Sequence, residues 1–148
     1  MGMKAQAKFT SHKATIDGII DDAYSMLADL RDEVQEVVDN APEGLQNSSR
    51  IETLSETASQ LDGFVDSPPD VPENVQEIEV TYYCTNFGKK GPSRRDRRDE
   101  AVGMLNAVAE HLRGDSQYDT DTDVQELLEE LDDACSTAEE CEFPGMFG

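Results

Sequence analysis

One apolar repeat constrains this chain more than any other feature. Ile16, Ile20, Ala23, Leu27, Leu30, Val34, Val37 and Ala41 follow one another at spacings of four and three residues without a break. Such a seam keeps one face of a helix turned toward a neighbour, and it predicts a long helix in a bundle or coiled coil. Asn40-Ala41-Pro42-Glu43-Gly44 ends it, because proline lacks the amide hydrogen of the helix ladder and glycine suits the turn after it. A second seam of Ile51, Leu54, Ala58, Leu61 and Val65 comes after a cap at Asn47 or Ser48. The link between them is short and polar, which predicts an antiparallel helical hairpin over about residues 14–66.

Ser67-Pro68-Pro69-Asp70-Val71-Pro72 reads as an extended linker, residues 67–74, and as the best internal boundary. Beyond it Ile78, Val80, Tyr82 and Cys84 alternate with Glu77, Glu79, Thr81 and Tyr83, the period of a strand with one apolar face. The backbone of this strand, residues 77–84, needs a partner. The arm around Ala7–Thr10 supplies one, and so does a second copy of the chain across a two-fold axis. Ser93 and Asp96 make a capping-box pattern before the seam Ala101, Leu105, Val108 and Leu112. Thr122 and Gln125 make another before Val124, Leu127, Leu131, Ala134 and Ala138. The expected fold class is therefore mainly α: a helical hairpin plus two further helices, with a single short β-strand and a Pro-rich break. One domain is expected for 148 residues, its second half a strand-helix-helix unit over residues 75–148.

Charge bears on partners rather than on fold. The chain has 33 Asp and Glu against 12 Lys and Arg, a net charge of −21. Half of the cations, Lys89, Lys90, Arg94, Arg95, Arg97 and Arg98, fall in one stretch with only Asp96 against them. A field of this sign repels nucleic acid and acidic membrane and attracts basic surfaces. The basic cluster sits at a loop–helix junction where phosphate would be welcome, but the surrounding charge opposes any polyanion within a Debye length. Pairing with the protein's own carboxylates, or with those of another copy, is the expectation. The sequence shows neither a long apolar run nor a secretory signal after Met1, so a cytoplasmic location and no membrane contact are expected. Cys84, Cys135 and Cys141 read as reduced thiols, the last two as small buried hydrophobes.

Signals for chemistry are thin. Asp119, Asp121, Asp123 and Glu130 match positions 1, 3, 5 and 12 of a calcium loop, but Val124 stands where the sharp turn needs glycine. An acidic helix cap is the better reading. His12 and His111 lack the spacing of metal ligands, no Gly-x-Ser-x-Gly occurs, and Gly88-Lys89-Lys90-Gly91-Pro92-Ser93 is not a phosphate loop. The expectation is a protein without cofactor or metal, and not an enzyme.

The acidic faces are more specific. Asp22, Asp29 and Glu36 share one heptad position opposite the first seam, with Asp32 and Asp39 beside them. They cover about 25 Å, one charge per ~5 Å. Glu126, Glu130, Asp133 and Glu140 repeat the arrangement on the fourth helix. Two such helices side by side would carry a charge about every 2–3 Å, against ~1.7 Å in duplex DNA. Fields of one sign carry self-repulsion, which a DNA-mimic role would explain.

Two short elements, Asn40-Ala41-Pro42-Glu43-Gly44-Leu45-Gln46 and Phe143-Pro144-Gly145-Met146-Phe147-Gly148, resemble segments of small acidic helical accessory proteins of tailed bacteriophages. The resemblance covers 13 of 148 positions and implies a context, a host cytoplasm, but no activity and no site. The leading expectation is a non-enzymatic inhibitor whose carboxylates occupy the basic surface of a host nucleic-acid-binding protein, such as a restriction, CRISPR or repair nuclease, without touching nucleic acid. The alternative is a structural or assembly protein that forms homodimers, larger oligomers or virion contacts, with the apolar tail Phe143, Met146 and Phe147 docking on the bundle or on a partner. A third reading is acidity as adaptation to a high-salt cytoplasm.

Overall fold

The computed structural model describes residues 9–45, 47–85 and 91–144. Strand β1 (Phe9–Thr15) runs without a loop into helix α1 (Ile16–Asp39). Next in the chain are helix α2 (Ser49–Asp62), strand β2 (Glu79–Thr85), helix α3 (Arg94–Arg113) and helix α4 (Thr122–Glu140). The protein is mainly α, as its seams require. Val34, Leu54, Leu105 and Leu131, one from each helix, are fully buried. The main apolar cluster draws on all four helices and on Val80 of β2. Val34, Ile51, Leu54 and Ala58 form a smaller one between α1 and α2. Helix α1 packs on α2 and α3, and α4 packs on α3 and more lightly on α2.

The strand is not single. β1 pairs with β2 antiparallel, from Phe9 opposite Thr85 to Thr15 opposite Glu79. The expected arm therefore does supply the partner, but as residues 9–15, further along than Ala7–Thr10. No apolar alternation marks Phe9-Thr10-Ser11-His12-Lys13-Ala14-Thr15, and the pairing itself makes it a strand. His12 stacks on Tyr82 across the ladder at 5.4 Å.

The start of α1 shows why the second half of the chain folds onto the first. The leading amides of a helix have no partner inside it. Here Ile16 N–H donates to Ile78 O at 2.9 Å and Asp17 N–H to Gln76 O at 3.3 Å. Gly18 N–H donates to Oγ1 of the cap Thr15 at 3.2 Å. The proline-rich segment is consequently no free linker. Pro69 is buried, Val75 is fully buried, and Gln76 Nε2 holds Val71 O at 2.9 Å. Gly63 caps the end of α2, and burial of Pro69 and Val75 anchors the segment beyond it.

The caps obey local chemistry with one correction. Ser48 caps α2, and Ser93 with Asp96 forms the expected reciprocal box on α3. On α4 the cap is Asp121, not Thr122: its Oδ1 accepts from Val124 N–H at 3.2 Å. Asn74 Nδ2 donates to Oδ2 of the same carboxylate at 3.1 Å. Because the helix starts at Thr122, the stretch that matched a calcium loop is helical from its fourth position.

Candidate functional site

The basic cluster is built into the fold. Arg94 and Arg97 of α3 both reach Glu33 of α1. The Glu33–Arg97 pair is bidentate, with Nη2 donating to Oε1 at 2.9 Å and Nη1 to Oε2. Hydrogen bonding from Arg97 is the main reason the Glu33 carboxyl lies below its usual range, and the charges of Arg97 and Arg94 add to it. Arg98 goes deeper. Its side chain is 10% exposed, and its Nη1 donates to Ala138 O at 2.8 Å, Cys141 O at 3.0 Å and Glu139 O at 3.3 Å. Those are carbonyls at the negative end of α4, where a cation is favoured; Ala138 O also accepts from Cys141 N–H at 3.2 Å. Nε donates to Asp99 at 2.6 Å. Arg95 is exposed, and Lys89 and Lys90 lie outside the described residues. Three of the six cations therefore hold α3 to α1 and α4.

The lowered carboxyl of Glu33 sets a pH dependence. Its contribution to stability is full above the ordinary carboxylate pKa, declines as the pH drops below it, and is gone beneath the lowered folded value. Glu33→Gln is expected to destabilise by about 0.5–1 kcal/mol at neutral pH, a figure kept small because the site is partly open to solvent. Urea titrations of both proteins should show this gap closing in acid; a gap that stays constant with pH would remove Glu33 as the titrating group.

Of the apolar tail, Phe143 is likewise engaged. Phe143 packs against both apolar clusters, and the guanidinium carbon of Arg98 lies 5.6 Å from its ring centre. Buried Thr57 of α2 clamps the neighbouring residue at two points, its Oγ1 donating to Glu142 O at 2.7 Å and accepting from Glu142 N–H at 3.2 Å. Met146 and Phe147 lie outside the described residues. Cys135 and Cys141 are buried free thiols, pushed by burial to about 12 and about 11.

The acidic residues divide differently from the sequence expectation. Asp22, Asp29, Asp32, Glu36, Asp39, Glu126, Glu130, Asp133 and Glu140 are all exposed. Helices α1 and α4 are not paired in the bundle, however, so their two rows lie on separate faces. The neighbour of the α1 row is α2. Arg31 joins them: Nη1 donates to Asp62 and Asp66 of the α2 end, at 3.0 and 2.5 Å, and Nε donates to Asp32 at 3.0 Å. Asp39 and Glu52 line one shallow groove further along. Asp32, Asp39, Glu52, Asp62 and Asp66 thus share the α1–α2 face, at about one carboxylate per 4 Å, while Glu36 keeps the heptad position of Asp22 and Asp29. Asp22 and Asp29 border an open groove that Met26, Tyr82 and Met104 also line. Glu130 on α4 adds to the burial that raises the Tyr24 hydroxyl to about 12.

No family model, curated protein or solved structure matches this chain. The reading of function therefore rests on this surface alone. Among the described residues no three His, Cys, Asp or Glu side chains are grouped to hold a metal ion, and no helix is long and apolar enough to cross a membrane. Sequence reasoning missed Arg31, Glu33, Glu52, Asp62, Asp66 and Thr57. Glu52, Asp62 and Asp66 were accessible as polar residues beside the second seam, given that the two helices form a hairpin. Glu33 and Thr57 carry no local signal, since their partners lie 64 and 85 residues away.

Proposed function

We propose that the protein is a non-enzymatic inhibitor that binds the basic nucleic-acid channel of a host protein through its carboxylate face, as a DNA mimic. The observation that carries this reading is the α1–α2 face, where Asp32, Asp39, Glu52, Asp62 and Asp66 are exposed together on and beside two packed helices. Carboxylates held on packed helices keep their spacing, so less order has to be imposed on binding than with a flexible acidic tail. The net charge of −21 steers such a surface toward basic partners and away from nucleic acid. The α4 row forms a second acidic surface, for which the α1–α2 face offers no continuation.

The deciding experiment is capture of host proteins from lysate, eluted by a salt gradient. A nucleic-acid enzyme or repressor should elute at moderate salt and be displaced by duplex DNA. The combined variant Asp32→Asn, Asp39→Asn and Glu52→Gln should bind it at least about tenfold more weakly, with a shallower salt dependence. If the wild-type protein captures only its own copies or virion proteins, mimicry fails and an assembly role replaces it.

A further inference from the structure

The sheet is open beyond β2. β1 covers one side of this strand, and among the described residues no third strand lies on the other. Thr85 shows which groups face the open side. Its amide donates to Glu100 Oε1 of α3 at 2.6 Å, so it points away from β1. In an antiparallel pair, residues alternate between those that bond the partner strand and those that face away. Tyr83 and Thr81 therefore turn their N–H and C=O groups to the same open side, while Cys84, Tyr82 and Val80 serve β1. Glu100 already fills, for Thr85, the acceptor position that a third strand would occupy.

A groove runs along this edge. One part, ≈690 Å³, lies between Thr81–Tyr83 and the Gly103, Ala107 and Glu110 side of α3. A second, ≈230 Å³, continues from Tyr83 and Gly103 to Asp96, Asp99 and Glu100. Gly103 stands in the interior of a 20-residue helix, yet a Cβ there would meet no atom within 4 Å. Glycine weakens a helix at such a position, and nothing packed inside the protein requires it. Glu79 and Glu110 flank one end of the groove and Asp96, Asp99 and Glu100 the other, with Lys13 as the opposing lining cation. Tyr83, 65% exposed, stands on the outer face.

We propose that the open edge of β2 is a strand-addition site that takes an extended basic segment of a partner protein, with Lys or Arg turned to the α3 carboxylates and apolar side chains turned to Tyr83. Main-chain bonds to Thr81 and Tyr83 supply affinity, and the alternating side chains supply selectivity. Charge chooses the occupant. A second copy of this chain would bring its own Glu79 and a net charge of −21 to the same edge, whereas a basic strand is attracted. The site uses none of the α1–α2 carboxylates, so it stands or falls apart from the mimic reading.

The test uses a fluorescent synthetic octapeptide of alternating Lys and Val, read by anisotropy and by amide hydrogen exchange on the full chain. Two controls accompany it: a Glu-Val octapeptide, and the Lys-Val peptide N-methylated at alternate amides to remove its strand donors. The Lys-Val peptide should bind and protect the Thr81 and Tyr83 amides, and N-methylation should weaken it at least about tenfold. Thr81→Pro removes an amide that faces the open side, spares the β1 ladder, and should lose peptide binding to the same degree. Gly103→Ala should raise the Tm of the free protein while weakening the peptide, an opposition that a purely structural glycine would not produce. Absence of binding overturns the proposal. Equal binding of the methylated peptide reduces it to charge attraction alone. Thr81 and Tyr83 amides that stay unprotected place the peptide elsewhere; protection without peptide, together with a dimer in sedimentation, assigns the edge to a second copy. If Thr81→Pro does not fold, the methylated peptide on the wild-type chain decides.

Discussion

Arg98→Met is expected to lower stability by about 3 kcal/mol, because buried carbonyls lose their donor and cannot reach water. The residue donates to Ala138, Glu139 and Cys141 carbonyls through one nitrogen and lies over Phe143. Methionine preserves much of the volume, so the loss isolates the hydrogen bonds and the charge at the end of α4 rather than a cavity. For a chain of this length the Tm should fall by about 6–12 °C. Lysine should recover only part, since a single ammonium cannot reproduce the planar fork of the guanidinium. Arg95→Met serves as the control: Arg95 is exposed on the same helix, and its loss should stay within about 0.5 kcal/mol. Urea denaturation measures both, and an unchanged midpoint for Arg98→Met would refute its role as the link between α3 and α4.

Leu105→Ala should cost a similar amount for a different reason. Leu105 is fully buried on α3 in the main apolar cluster, where α3 meets α1 and α4. Removing its side chain forfeits the transfer energy of the lost groups and leaves a cavity that helices on two sides cannot readily close, about 3–4 kcal/mol in total. Leu45→Ala is the comparison within the same protein. Leu45 is 55% exposed in the turn between α1 and α2, and its truncation should be nearly neutral. Thermal unfolding of the two variants reads the difference directly. Comparable losses at both positions would mean that burial does not set the stability of this bundle.

The two predictions divide along what a sequence can reveal. Leu105 belongs to a seam visible from residue spacing alone, as do Leu27, Leu54 and Leu131, because side chains three and four apart share a helix face whatever the helix packs against. Capping at Ser48 and Ser93 was legible for the same reason: the donor and acceptor lie within three residues. Arg98 was legible only as one member of a basic cluster. The carbonyls it bonds are 40 to 43 residues away, across a contact no local pattern encodes.

The candidate site shows the same limit. The carboxylate row of Asp22, Asp29, Asp32, Glu36 and Asp39 is a consequence of helical periodicity. Its neighbour is not. An α1–α4 pairing of the two rows is not formed, and the packing of α1 against α2 brings Glu52, Asp62 and Asp66 beside it instead.

By itself, then, the sequence determined the helices, their buried faces, most of their caps and the sign of the field, all properties set within a few residues or by composition. Tertiary structure decided the rest. It made a strand of residues 9–15, which lack the strand period, because the edge of β2 demanded a partner. It made three cations of the basic cluster into struts to Glu33 and the end of α4, fixing which of the chain's own groups they pair with. It also left the far edge of β2 open over Gly103, a groove that exists only once strand and helix lie together.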